Sequence, residues 1–166
     1  YTFFSGIANT INIIVFTLVI MIYYPLLVEQ YQNKKIDMFK KTLKMFSLKI
    51  VTFSILSSIG ILLVIGTVLE FMGKLEFQNN IEVLWLLIIA NIILNISLIA
   101  HYLLFVHKQD MIIRNATLIG AFINIPLNVI LIKLFGLTGA AISTIVSFLI
   151  IGLLKFKTIR KIYGDI

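Results

Sequence analysis

The chain has 166 residues, of which 60% are hydrophobic and only 13% charged, with a formal net charge of +7. A soluble domain carries about 25% charged residues, so a chain this apolar cannot cover a soluble surface with polar groups. It contains no Cys, which removes disulfides, thiolate metal sites and Cys nucleophiles.

Five apolar segments predict transmembrane helices, at about residues 3–28, 46–71, 81–106, 111–132 and 137–154. A helix crossing a bilayer needs about 20 mostly apolar residues. Strands are a poor alternative, because the runs are too long and do not alternate. The first segment carries Ser5, Asn9 and Asn12 on one face, with Tyr23 further along it, and closes on Tyr24-Pro25. A long basic connection follows, in which Asp37 is placed to cap an amphipathic interfacial helix over about 37–45. The next connection, with Glu70, Lys74, Glu76 and Glu82, is net negative. On the third segment, Asn91, Asn95 and Tyr102 fall within about 40° of one another. On the fourth, Thr117, Asn124 and Asn128 do the same, with Arg114 near that face. A glycine-rich turn at 133–139 leads to the fifth segment, where Ser143, Ser147, Gly136, Gly139 and Ala140 read as a close-packing face. The tail from Lys155 to Ile166 is basic.

Twelve of the 14 Lys and Arg residues lie in three places. These are Lys34, Lys35, Lys40, Lys41, Lys44 and Lys49; then Lys108 and Arg114; then Lys155, Lys157, Arg160 and Lys161. Every second connection is therefore basic, which is the charge pattern of a multi-pass membrane protein with its basic loops in the cytoplasm. It predicts the Tyr1 end outside and the Ile166 end inside. It also explains the positive charge without nucleic acid, because no aromatic-interleaved basic patch occurs. The chain starts at Tyr1 with no signal-peptide pattern before the first span, so a missing N-terminal part is expected.

Polar groups inside the spans are the functional candidates, since in hydrocarbon they face other helices or a wet cavity. Asn9, Asn12, Asn91, Asn95, Tyr102, Asn124 and Asn128 either bond helices together or line a common hydrated cavity. His101 is a shallow interfacial residue or a protonatable group in a coupling path. Arg114 either snorkels to headgroups or pairs with the phosphate of a lipid substrate. No carboxylate lies mid-span, and His101 and His107 stand six apart, unsuited to a shared metal. No enzyme activity, metal or cofactor is expected.

The stretch IIRNATLIGAFINIPLNVILIKLFGLTGAAISTIVSFLI resembles a recurring pattern of polysaccharide biosynthesis membrane proteins. In them an N-x-x-x-N helix leads through a basic turn to F-G-x-x-G-A-A-I-x-T. Asn124, Asn128, Lys133, Phe135, Gly136, Gly139, Ala140, Ala141, Ile142 and Thr144 match it. Tyr24, Pro25 and the Lys-rich connection also occupy the expected places. The chain resembles the last five helices of an O-antigen (Wzx-type) flippase of the multidrug/oligosaccharidyl-lipid/polysaccharide exporter superfamily. That resemblance implies the C-terminal lobe of a two-lobe transporter of twelve or more helices in a prokaryotic cytoplasmic membrane. The substrate would be a polyprenyl-pyrophosphate-linked oligosaccharide, flipped outward by alternating access, with H+ or Na+ as a possible coupling ion. Polymerase or export proteins would be partners. A lipid II flippase, a drug/cation antiporter of the same superfamily and a non-transporting membrane scaffold are the competing readings.

Overall fold

A computed structural model describes residues 1–163, the side chains of Leu75, Ile162 and Tyr163 excepted. The described residues are helical throughout, with no strand. α1 (Thr2–Val15) runs through a π-helical turn (Phe16–Ile20) into α2 (Met21–Gln32). α3 spans Ile36–Phe71, a 3-10 turn covers Leu75–Asn80, α4 spans Ile81–Val106 and α5 spans Asp110–Tyr163. Among the described residues, four helical stretches are long and apolar enough to cross a membrane: Thr2–Gln32, Ile36–Phe71, Glu76–Val106 and Asp110–Lys161.

Three helix ends share one closure. The N–H groups of Lys34 and Lys35 reach the carbonyls of Tyr31 and Gln30; those of Gly73 and Lys74 reach Glu70 and Leu69; those of Lys108 and Gln109 reach Phe105 and Leu104. Such paired bonds satisfy the last carbonyls of a helix and need a left-handed residue at the first position. Gly73 adopts it freely at φ 64°, whereas Lys34 and Lys108 hold φ 55° and 56° against their Cβ atoms.

One expectation about the elements is corrected. The interfacial helix over 37–45 is not separate, because α3 is continuous from Ile36 to Phe71. Nothing breaks it, since neither Gly nor Pro lies between Asp37 and Ile59. Asp37 sits inside its first turn, and Lys35 is the N-cap. The fourth and fifth segments are the two arms of α5, divided at Gly136, where φ is 60° and ψ is −135°.

That interruption folds α5 back on itself. Asn124 bonds Ser147, 23 residues away, a separation that would be roughly 35 Å along a straight helix. The arms over residues 110–135 and 137–163 therefore lie antiparallel. Their approach requires glycine at Gly139, where a Cβ would strike the Leu131 carbonyl; a Cβ on Gly120 would have to displace the Ile151 side chain. Gly136 was expected both in the turn and among the packing residues; a Cβ there would meet nothing, and it makes the turn.

Cross-contacts give the direction of each element. Asn12 meets Asn91, and Thr138 meets Glu82 while Lys155 meets His101. Thus α1, α4 and the returning arm of α5 run in one direction. α3 runs the other way, with Ile65 and Leu69 against Phe4 and Val83 at one end and Phe39 and Phe46 beside Leu27 and Leu103 at the other. Two apolar clusters result. One holds Phe4, Ala8, Ile11, Leu84 and Leu87, and the other Val15, Val19, Leu27, Phe46 and Ile50. Large apolar side chains also point outward, among them Leu63, Phe71, Phe122 and Leu153. So broad an apolar exterior is unsuited to water and suited to lipid.

Candidate functional site: a polar groove between helices

The amides of α1 and α4 converge. Asn12 Nδ2 donates to Asn9 Oδ1 at 2.9 Å and to Asn91 Oδ1 at 2.6 Å. Asn91 Nδ2 in turn donates to the Leu87 carbonyl one turn earlier at 2.7 Å. This chain of bonds follows from spacing. Asn9 and Asn12 share a face because residues three apart on a helix are neighbours, and that face meets the Asn91 side of α4.

Asn9, Asn12 and Asn91 form part of the wall of a hollow of about 380 Å³, closed on the far side by Thr144 of α5. A second hollow of about 480 Å³ lies against Asn124, Asn128 and Thr144. Tyr1 borders both. Its hydroxyl pairs with that of Thr144 at 3.1 Å, so the two hollows meet at this bond and make one groove. Beside its apolar residues the groove is lined by amides and hydroxyls, with no charged side chain.

Asn124 and Asn128 do a second job. Asn124 Nδ2 donates to Ser147 Oγ at 2.8 Å, Asn128 Nδ2 donates to Asn124 Oδ1 at 2.7 Å, and Ser143 Oγ donates to Asn128 Oδ1 at 2.7 Å. This ladder ties the two arms of α5 together. The packing face expected around Ser143 and Ser147 is thus also a hydrogen-bonding one. Each such bond between apolar helices contributes only about 0.6 kcal/mol.

Three sequence candidates stand outside the groove. Tyr102 lies among aromatic rings, with Tyr24 at 5.0 Å and Phe46 at 6.1 Å between centroids. Arg114 is exposed, and its guanidinium Nε reaches only Asn115 Oδ1 at 3.4 Å. Asn95 is fully buried, and neither its Oδ1 nor its Nδ2 has a hydrogen-bond partner among the described residues. Helical periodicity places Asn95 beside Asn91, but a shift of about 40° turns it from the groove into the helix interior. A buried amide without partners costs about 1–3 kcal/mol.

His101 receives a hydrogen bond at Nδ1 from Lys155 Nζ, at 3.2 Å. The sequence placed Lys155 in a basic tail facing water. The returning arm of α5 instead continues past it and packs on α4, leaving Lys155 3% exposed. Its neighbour one turn earlier is Gly152, where a Cβ would crowd Ser97 of α4. That closeness is the signal for a buried Lys155, since one helical face carries both residues. The Ile166 end lies outside the described residues.

Among the described residues no group of His, Asp and Glu is arranged to hold a metal ion. An all-helical chain with several helices apolar enough to cross a membrane, and a neutral polar groove between them, is consistent with a multi-pass membrane protein. Comparison with models of known protein families, with curated proteins and with solved structures finds no match to this chain.

Proposed function

We propose that this chain is the C-terminal part of a transporter that flips a polyprenyl-pyrophosphate-linked oligosaccharide across the cytoplasmic membrane by alternating access. The observation that carries the reading is the groove. Side-chain amides of Asn9, Asn91 and Asn128 and the hydroxyls of Tyr1 and Thr144 converge between helices that are otherwise apolar. Such groups match the hydroxyls of a sugar, which both donate and accept. They do not neutralise a pyrophosphate, and exposed Arg114 stands apart from them. In this reading the anionic head group is held by another part of the transporter.

The topology supports the same reading. With each arm of α5 crossing the bilayer, the chain makes five crossings of alternating direction. The basic connections then fall on one side, as expected for cytoplasmic loops. Tyr1 is on the outer side in this arrangement.

Uptake of a labelled polyprenyl-linked oligosaccharide into inverted membrane vesicles by the full-length protein tests the proposal. Replacing Asn9, Asn91 and Asn128 together by Leu is expected to lower the initial rate at least about tenfold, the loss of two or more hydrogen bonds of about 1 kcal/mol each. An unchanged rate in a folded protein rejects the groove as the sugar path. The α5 ladder favours one competing reading, a scaffold whose amides only join helices. Cysteines at positions 9 and 128 that never react with aqueous reagents would support it.

A further inference from the structure

The open end of the α5 hairpin, away from Gly136, is strongly basic. Residues 108–114 and 155–161 hold six cations against one carboxylate, Asp110. Lys155 is turned onto His101 of α4. Between the arms at this end lies a hollow of about 210 Å³. The first arm lines it with Ile112, Asn115, Ala116 and Ile119, the second with Leu154 and Thr158. The four share a face because residues three and four apart on a helix are neighbours. Ala116 is buried, whereas Asn115 and Ile119 are exposed, so the hollow opens to the outside of the hairpin. It shares no lining residue with the polar groove.

The hollow is graded in polarity. Gly120 packs on Ile151, so Ile119 lies toward the middle of the hairpin, and Asn115 lies roughly 6 Å nearer its open end. Arg114 Nε donates to Asn115 Oδ1 at 3.4 Å, which brings the guanidinium to the side of the hollow where Asn115 stands. That bond uses a single N–H of the guanidinium, which presents the others in a fork that fits phosphate oxygens. Thr158 adds no donor, because its Oγ1 donates to the Leu154 carbonyl at 2.9 Å. No carboxylate lines the hollow.

We propose that this hollow binds an anionic phospholipid of the bilayer, with its phosphate on Arg114 and Asn115 and an acyl chain along Ile119 and Leu154. The charge is complementary, since basic pockets between membrane helices take anionic headgroups. The order of the groups is that of a lipid, a cation and an amide followed by apolar side chains. A free phosphate would have no use for the apolar part, and a partner helix would have to bring a carboxylate to the guanidinium. In the topology proposed above this end faces the cytoplasm. Only the choice of leaflet rests on that reading.

The test is photolabelling of the full chain in phosphatidylcholine nanodiscs with trace phosphatidylglycerol carrying a diazirine in one acyl chain. Peptides containing Ile119 and Leu154 are expected to be labelled about tenfold more than by the matching phosphatidylcholine probe. Labelling beside Leu63, which points outward from α3, is expected to be equal for the two. Arg114→Gln is expected to remove the preference. Lys157→Gln makes the same charge change at an exposed position outside the hollow and is expected to keep it. Arg114→Lys, which keeps the charge but not the fork, is expected to weaken it and serves if the glutamine variant does not fold. Equal labelling by the two probes in the folded wild-type protein overturns the proposal, as does a preference that survives in Arg114→Gln. Loss of labelling on adding inorganic phosphate overturns it in favour of a free anion. Displacement by a polyprenyl phosphate but not by unlabelled phosphatidylglycerol overturns it in favour of the transported lipid. The assay involves no transport, so its failure is separate from that of the vesicle experiment.

Discussion

Lys155 and Gly139 show how a residue's neighbours decide its role. Lys155 is 3% exposed with only a histidine nitrogen as partner among the described residues. An ammonium held in such a place loses hydration that one neutral acceptor does not return. Lys155→Met retains the length of the side chain and removes the charge, so it is expected to raise the thermal unfolding midpoint in detergent. A fall of more than about 2 kcal/mol in stability would mean that the ammonium has a stronger partner. Glycines separate by the same logic. Gly139→Ala drives a methyl into the Leu131 backbone and is expected to cost about 1–3 kcal/mol. Gly136→Ala meets open space but is strained at φ 60°, a penalty of about 1–2 kcal/mol. Gly60→Ala, in open space within α3, is expected to stabilise by up to about 1 kcal/mol. Equilibrium unfolding of the three variants measures this order, and Gly139→Ala matching Gly60→Ala would refute the tight hairpin.

Among the elements, the junction of α2, α3 and α4 is held by rings. The His107 ring lies 4.3 Å from that of Tyr31 and 6.2 Å, edge-on, from that of Phe39, while its Nδ1–H donates to the Leu103 carbonyl at 2.8 Å. Burial pushes His107 below its ordinary value of 6.5, against the opposing effect of that hydrogen bond. The folded junction thus favours the neutral ring, whereas an unfolded chain takes up a proton near 6.5. The stabilisation is complete above that pH and is lost as pH falls through the lowered folded value. The difference in unfolding midpoint between wild type and His107→Gln is expected to shrink from about pH 7.5 to about pH 5. A difference that grows with acid would show the ring to be held charged. Sequence shows His107 only as six residues from His101. It could not show the stacking, because Tyr31 and Phe39 are brought to it by the turn at Lys34.

For the molecule as a whole, the helical character, the apolar exterior and the turn after Phe135 are legible from composition and periodicity. So are Asn9, Asn12 and Asn91 as one polar patch, since two share a helix face and the third lies at a matching depth. Transport by the proposed route is the property of this scale, and the vesicle assay with the Asn9, Asn91 and Asn128 replacements is its test. Periodicity assigns a residue to a face of its own helix, and that is a local property. It therefore determined that Asn95, Asn124 and Lys155 point away from lipid or toward an end. Which neighbour each meets depends on how helices distant in sequence cross, and on the close backbone approach that Gly139 permits. Tertiary structure alone decided that Asn124 is bonded within a hairpin, that Asn95 is buried with no partner among the described residues, that Lys155 lies against His101, and that Arg114 stands outside the groove.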